Sequence, residues 1–299
     1  ADPLEMVHFH IAGKPVPPSE RAAGVPQTVS DIVMKLLQKE PEDRYQSARG
    51  LAADLRLCLA ALEGAGSIEP FRLGLADAID RDLADGVTPI AVVASAGTTL
   101  TGAIDPLAAI AEICEERGVW FHVDGAYGLP AVAARPELFI GFERANSVSV
   151  DAHKWLYLPK ACGILLVREQ EALVASFGHE QGYLPHQRHE LHAMETTFEY
   201  SRPFRALKFW LAMRVHGAAA FAEAIERNLA QAQLLYRTVS ARDDFEVLGP
   251  PKLSIVAFRH TPPGVEDVGS HNHRLAQELQ ADGRVWMSSA LIAMCTCGS

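Results

Sequence analysis

The chain is short of several things, and each shortage excludes something. No stretch approaches the roughly 18 consecutive apolar residues of a membrane span, and the opening Ala1-Asp2-Pro3-Leu4-Glu5 carries no signal-peptide pattern. Basic residues are outnumbered: 27 Lys and Arg face 37 Asp and Glu, a formal charge of −10 at pH 7. Nucleic-acid binders show a basic stripe. None is present, so DNA and RNA are set aside as partners. Cysteines number five, an odd count, and only Cys295 and Cys297 lie close together. Cys58, Cys114 and Cys162 sit inside apolar segments and read as buried free thiols in a reducing compartment, with the cytoplasm as the expected location. There is no internal repeat and no low-complexity tract.

What remains is the profile of a globular protein. Apolar residues make up 48% of 299, and charged residues 21%, enough length and core material for about two domains. Pro15, Pro17, Pro18 and Pro26 predict an extended connector that cannot be helical. Val29, Ile32, Val33, Leu36 and Leu37 then follow a helical period. A second helix is expected after Pro41, with Leu51, Leu55, Cys58, Leu59 and Leu62 facing inward, Ser47 as N-cap and Gly64 as stop.

From about residue 76 the pattern alternates. Strands are expected at 90–94, 119–123, 147–150 and 163–167. Between the first two, Asp105-Pro106 reads as N-cap and first residue of a helix burying Leu107, Ile110, Ala111 and Cys114, closed by Gly118. Continuous apolar strands separated by helices indicate a mostly parallel sheet covered on both faces. Beyond residue 200 come a long Ala- and Leu-rich helix over 203–236, a strand over Leu253–Phe258, a helix over 271–280 and a strand over Arg284–Met287. These suggest a separate α+β unit.

Ligands of such sheets sit at the carboxyl ends of the strands. Three ends carry polar groups: Thr98 and Thr99, then Asp124, then Asp151-Ala152-His153-Lys154-Trp155. A lone Asp after a strand is commonly a turn residue, and a lone Lys a solvated charge. Together, an amine, a carboxylate and a hydroxyl are what pyridoxal 5'-phosphate (PLP) chemistry needs. The amine captures the cofactor aldehyde, and the carboxylate keeps the pyridine nitrogen protonated.

The strings are more specific than the residue types. Phe121-His122-Val123-Asp124-Gly125-Ala126-Tyr127-Gly128 and Asp151-Ala152-His153-Lys154-Trp155 resemble the group II PLP-dependent amino-acid decarboxylases. Gly97-Thr98-Thr99 with Gly102-Ala103-Ile104-Asp105-Pro106 upstream, and the block from Ser201 to Trp210 downstream, match the same family in the same order. The resemblance implies an α/β fold of PLP-dependent fold type I. Residues 75–200 would form part of the PLP-binding large domain with a mostly parallel sheet. Residues 201–299 would form a small, truncated α+β C-terminal domain, and residues 1–74 a short all-α segment ahead of both.

Carried over by position, the resemblance makes Lys154 the imine lysine and Asp124 the pyridine partner. It lays Ala126 against the ring face, puts His153 on the cofactor phosphate, and sets Thr98 near the ring. Ser201 or Arg202 would reach the phosphate region across a homodimer interface. The implied reaction is loss of CO2 from an L-amino acid, and the strings look most like bacterial aromatic-amino-acid decarboxylases.

Departures from the family are also legible. A Gly/Ser/Thr-rich phosphate loop and a ring-stacking histidine are expected well before Gly97, and residues 1–74, His8 and His10 included, supply neither. Instead, Met34–Leu37 through Pro41–Ala48 resembles the last helices of a Ser/Thr protein kinase C-lobe, with Arg44 matching the arginine that in kinases pairs with a buried glutamate. The catalytic parts of a kinase are absent, which excludes kinase activity. With the departing tail from Ala293 to Ser299, this predicts a fused or mis-assembled reading frame with exposed apolar faces and poor solubility. Tyr183 is the one tyrosine in the loop spanning roughly 178–198, where the family keeps a proton donor, and His192 falls nearest the expected place. Alternatives stay open: an inactive fragment, another fold type I PLP lyase, or a metal site at His179, His186, His189 and His192. For those histidines, as for Cys295 and Cys297, the plainer reading is no metal.

Overall fold

The computed structural model describes residues 15–39, 43–66, 68, 71, 73–178, 195–199, 201–284 and 287–290. Its first element corrects an expectation. The proline-rich stretch contains one helical turn, α1 (Pro18–Arg21), with Pro18 at the first helical position, where a missing N–H costs nothing. Next come α2 (Gln27–Leu36) and α3 (Ala48–Ala65). Ser47 caps α3 as expected, its Oγ accepting the Gly50 N–H at 2.9 Å. The helix runs past Gly64 and stops at Gly66, which holds the left-handed φ of 70°.

The buried face of α3 also differs from the expected stripe. Asp54, Leu57 and Cys58 point inward, whereas Leu55, Leu59 and Leu62 are exposed. Polar anchors set this rotation. Asp54 Oδ2 accepts the Gly74 N–H and the Tyr45 hydroxyl, and Asp77 accepts from the Gln46 N–H and the Ser47 hydroxyl. Both anchors tie α3 and its approach to α4 (Leu75–Ala84), so the helical segment docks on the rest of the chain.

The main sheet has the order β1-β2-β3-β4. Strands β1 (Ala91–Ser95), β2 (Trp120–Asp124) and β3 (Ser147–Asp151) are parallel, and β4 (Gly163–Val167) is antiparallel to β3. Helix α5 (Leu107–Arg117) joins β1 to β2 and buries Leu107, Ile110, Ala111 and Cys114. Gly118 closes it as expected. Asp105 does not cap it. Its Oδ2 instead accepts the Ser95 N–H at 2.7 Å, fastening the loop to the end of β1, and burial pushes its carboxyl pKa up.

Coverage on both sheet faces is not observed: Val93 is 64% exposed, and Leu165 of β4 is 56% exposed. After β4 follow α6 (Gln170–Phe177) and the long α7 (Arg205–Ser240), broken at Gly217, whose φ of 74° and ψ of 159° leave the helix. Ile225 and Leu229 of α7 enter the same core as Phe121, Val123 and Phe139. The second sheet pairs β5 (Phe245–Val247) with β6 (Phe258–His260). The expected strand at 253–258 is therefore mostly coil, because Leu253 plugs into the core and Ser254 bonds to the Tyr127 hydroxyl. Helix α8 (Val268–Asp282) starts at Asp267, whose carboxylate accepts the Ser270 N–H. In the expected last strand, Arg284 and Met287 are not in a strand, and Val285 and Trp286 lie outside the described residues. No described helix is long and apolar enough to cross a membrane.

Candidate active site

The carboxyl ends of β1, β2 and β3 come together because the strands are adjacent and parallel. Ser95 pairs in register with Asp124, and Asp124 with Ser149. Past these pairs, the chain turns are laced to one another through backbone bonds. Ala96 N–H donates to the Asp124 carbonyl, Gly125 N–H to the Ser149 carbonyl, and Asp151 N–H to the Ala126 carbonyl.

Close approach at this end requires glycine. A Cβ on Gly97, itself at φ 111°, would lie 2.7 Å from the Gly128 Cα, and one on Gly128 would lie 2.2 Å from the Ala96 carbonyl oxygen. Two of the Gly residues in the quoted strings thus exist to let the β1 and β2 turns touch.

Asp124 stands exposed at the end of β2. One of its oxygens is anchored and the other is open. Oδ1 accepts the Ala126 N–H at 3.0 Å and the Ser149 hydroxyl at 3.1 Å, while Oδ2 accepts nothing among the described residues. Ala126 is therefore more than a small side chain, since its N–H and C=O tie Asp124 to the approach to Lys154.

Lys154 lies three residues past the end of β3, its side chain 42% exposed and its Nζ 3.0 Å from Asp151 Oδ2. On His153, Nδ1 accepts the Cys162 N–H at 3.1 Å. That bond makes Nε2 the donor side of the ring, and Nε2 lies 3.9 Å from Asp151 Oδ2. Thr98 is turned inward to its own loop: its Oγ1 accepts the Ala103 N–H at 3.1 Å and lies 2.8 Å from Thr101 Oγ1. Ser201 is exposed ahead of α7, and no hydrogen bond among the described residues joins it to the other five. Asp124 is linked to Ala126, Ala126 through its carbonyl to Asp151, and Asp151 to Lys154, whereas neither Thr98 nor Ser201 is hydrogen-bonded to these residues among the described ones. His179, His186, His189, His192, Tyr183, Cys295 and Cys297 lie outside the described residues.

Five residues of this neighbourhood make contacts that the sequence does not announce. Tyr127 stacks on Trp155, with ring centroids 5.0 Å apart and planes inclined by 16°. The Tyr127 hydroxyl meets Ser254 Oγ at 2.5 Å, and burial raises its pKa against the opposing pull of that bond. Trp155 Nε1–H donates to Asn228 Oδ1 at 2.9 Å, and the Tyr157 hydroxyl donates to the same oxygen. Tyr127 and Trp155 were inside the quoted strings, but Asn228 and Ser254 carry no signal that a single sequence could offer.

Residues 45–261 match the pyridoxal-dependent decarboxylase conserved domain. The chain belongs to the pyridoxal-dependent decarboxylase family. Within it, the chain is 34% identical over 220 residues to an aromatic-L-amino-acid decarboxylase of Bacillus atrophaeus, covering 71% of this chain and 46% of that protein. It is 35% identical over 232 residues to tryptophan decarboxylase TDC1 of Camptotheca acuminata, covering 74% and 46%. The structure of Oryza sativa TDC with PLP and tryptamine superposes with a TM-score of 0.68 at 29% identity, covering 73% of this chain and 47% of that one. The chain thus spans about half the length of the curated relatives it matches.

Pyridoxal phosphate is the cofactor of this decarboxylase family. The donor set fits it at the ring and aldehyde ends. There is a primary amine, a carboxylate with one oxygen held and one open, and an imidazole N–H beside the amine.

Proposed function

We propose that this chain carries the lysine-bearing part of a PLP-dependent decarboxylase site acting on an L-amino acid with an aromatic side chain. The observation that carries the reading is the half-anchored Asp124. Its Oδ1 is pinned by Ala126 and Ser149 while Oδ2 stays open, on the strand next to the one that leads to Lys154. A carboxylate fixed in this way offers one oxygen, in one direction, to a protonated ring nitrogen.

When bound, the cofactor supplies an electron sink for the pair left by a departing carboxylate. The chain's own residues do the rest. Lys154 would offer the primary amine to the cofactor aldehyde, and Asp124 would hold the proton on the ring nitrogen. His153 would serve the phosphate, and Ala126 would lie against the ring. Thr98 lines the neighbouring turn. The aromatic preference is supported by the relatives named aromatic-L-amino-acid and tryptophan decarboxylases.

The reading extends to a homodimer in which Ser201 serves the partner's phosphate region, and to a cytoplasmic location. It divides the chain at residues 74 and 200. For residues 1–74 it keeps the likeness to the end of a kinase C-lobe.

The test is an absorbance titration of the purified chain with PLP beside Lys154→Ala, followed by product analysis with L-tryptophan, L-tyrosine and L-glutamate. A Lys154-dependent band with amine product from the aromatic substrates is expected. No Lys154-dependent band would overturn the assignment of the amine, and amine product from L-glutamate alone would overturn the aromatic preference.

A further inference from the structure

We infer that Asn228 of α7 is a positioning residue for Lys154, acting through the indole of Trp155. The inference rests on the proposed role of Lys154, and it starts from a convergence of bonds on one atom. Asn228 Oδ1 accepts from both Trp155 Nε1 and the Tyr157 hydroxyl, so the residues at one and three positions after Lys154 share a single acceptor. Its amide nitrogen is held in turn by Gln231 Oε1 at 3.2 Å, which fixes which side of the amide faces the indole.

Asn228 can impose a position because its helix is itself immobilised. Ile225, Leu229 and Ala232 are buried on the same face of α7, and Ile225 and Leu229 belong to the core that holds β2 and β3. Two residues before Asn228, Glu226 pairs with Arg135, just past the turn at Leu129–Ala133. By contrast, the segment carrying Lys154 has no regular structure between the end of β3 and the start of β4. Short bonds hold its ends: Lys154 N–H to the Asp151 carbonyl, Leu158 N–H to the Ala152 carbonyl, Ala152 N–H to the Cys162 carbonyl and Cys162 N–H to His153 Nδ1, with the Lys154 amine 3.0 Å from Asp151 Oδ2. Between them, the Trp155 ring is the buried large side chain that reaches another element.

That ring is gripped from two directions. Tyr127 stacks on its face, three residues after Asp124, and Asn228 holds its edge. The stack relates the Asp124 turn to the Lys154 turn, but two stacked rings slide easily in their common plane. The indole N–H bond removes that freedom. Asn228 thus sets how far along the stack Trp155 sits, and with it where the adjacent Lys154 amine stands relative to Asp124. Displacing a reacting group by about 1 Å can cost about 100-fold in rate, so an acceptor outside the site has leverage on it.

The experiment compares the parent chain with Asn228→Ala, which deletes the acceptor, and Asn228→Asp, which keeps an oxygen facing the indole. The first readout needs no cofactor. Reductive methylation with dilute formaldehyde and cyanoborohydride, followed by peptide mass spectrometry, gives the rate at Lys154 relative to Lys35 and Lys208 in the same molecule. The second is the PLP titration of the Lys154-dependent absorbance band between pH 6 and 9. The third is the urea midpoint, which reports any general loss of stability.

The expected result is a change of at least about threefold in relative Lys154 labelling in Asn228→Ala, and PLP binding weaker by about tenfold. The pH midpoint of the band should move, and Asn228→Asp should restore all three. An Asn228→Ala protein with parental Lys154 labelling overturns the inference, whatever its urea midpoint. So does a loss that Asn228→Asp fails to rescue. A parent chain with no PLP band overturns the functional reading instead, and the labelling ratio still decides the role of Asn228.

Discussion

Tyr127 and Trp155 stack at 5.0 Å, and through that contact the turn that follows Asp124 leans on the turn that carries Lys154. Each ring is also held by a residue from beyond residue 200, Tyr127 by Ser254 and Trp155 by Asn228. Trp155 is 5% exposed and belongs to the main core. Trp155→Ala is expected to cost about 3–5 kcal/mol of stability, the usual range for emptying such a site. Trp155→Phe keeps a stacking ring and should cost less, mainly the Asn228 bond at about 1–2 kcal/mol. Urea midpoints of the three proteins check the order.

The glycines at the strand ends give a contrast between crowding and backbone conformation. Gly97 and Gly118 both hold positive φ, 111° and 64°, but only Gly97 has neighbours where a Cβ would stand. Gly118→Ala should cost about 1 kcal/mol, the price of a left-handed alanine. Gly97→Ala must also separate the β1 and β2 turns, and should lose at least about 2 kcal/mol more than that. Equal losses, read from denaturation midpoints, would mean that the two turns do not touch.

Asp124 is exposed, so its replacement should separate binding from folding. Asp124→Ala is expected to leave the denaturation midpoint within about 0.5 kcal/mol of the parent. The same change should weaken PLP binding by at least about 100-fold. Ser149→Ala removes one of two donors to Oδ1 and should weaken binding by about 3–10-fold. Paired PLP and urea titrations report both effects.

Two buried or paired carboxylates should make stability depend on pH with opposite signs. Burial pushes the Asp54 carboxyl up, outweighing its bonds from Tyr45 and Gly74, and its Oδ1 has no hydrogen-bond partner among the described residues. Its contribution is then complete below the ordinary carboxylate pKa of about 4 and is lost as pH rises through the raised folded value. Asp80, held down by its hydrogen bond to the Arg117 guanidinium, contributes above the ordinary value and loses it as pH falls through the lowered one. Asp54→Asn should remove the decline on the rising side, and Asp80→Asn should reduce the loss in acid. Urea midpoints at several pH values between 3 and 8 test both signs. A parental decline that persists in Asp54→Asn would show that Asp54 is not its source.

Much of this protein was readable from residue order, and some of it was misread for identifiable reasons. Gly118, Ser47 and the apolar positions of α5 obeyed local rules, because caps and helix periods depend on neighbours within a few residues. The inward face of α3 was misjudged because Asp54 and Asp77 outweigh the Leu55, Leu59 and Leu62 stripe. Polar anchors to a helix some twenty to thirty residues away leave no mark on hydrophobic spacing. Asp105 looked like a helix cap and bonds Ser95 instead, a choice made only when the loop folds back onto β1.

The sequence by itself determined the chemistry available. A carboxylate ends β2, and an imidazole and an amine follow β3, in strings specific enough to name a family. Tertiary structure alone decided how they are held. Which oxygen of Asp124 stays open depends on Ser149, a residue on another strand, and which way Lys154 is steadied depends on Asn228, more than seventy residues on. Hydrogen bonds are short-range and directional, so their partners are chosen by the packing of whole elements, and the order of residues along the chain does not record them.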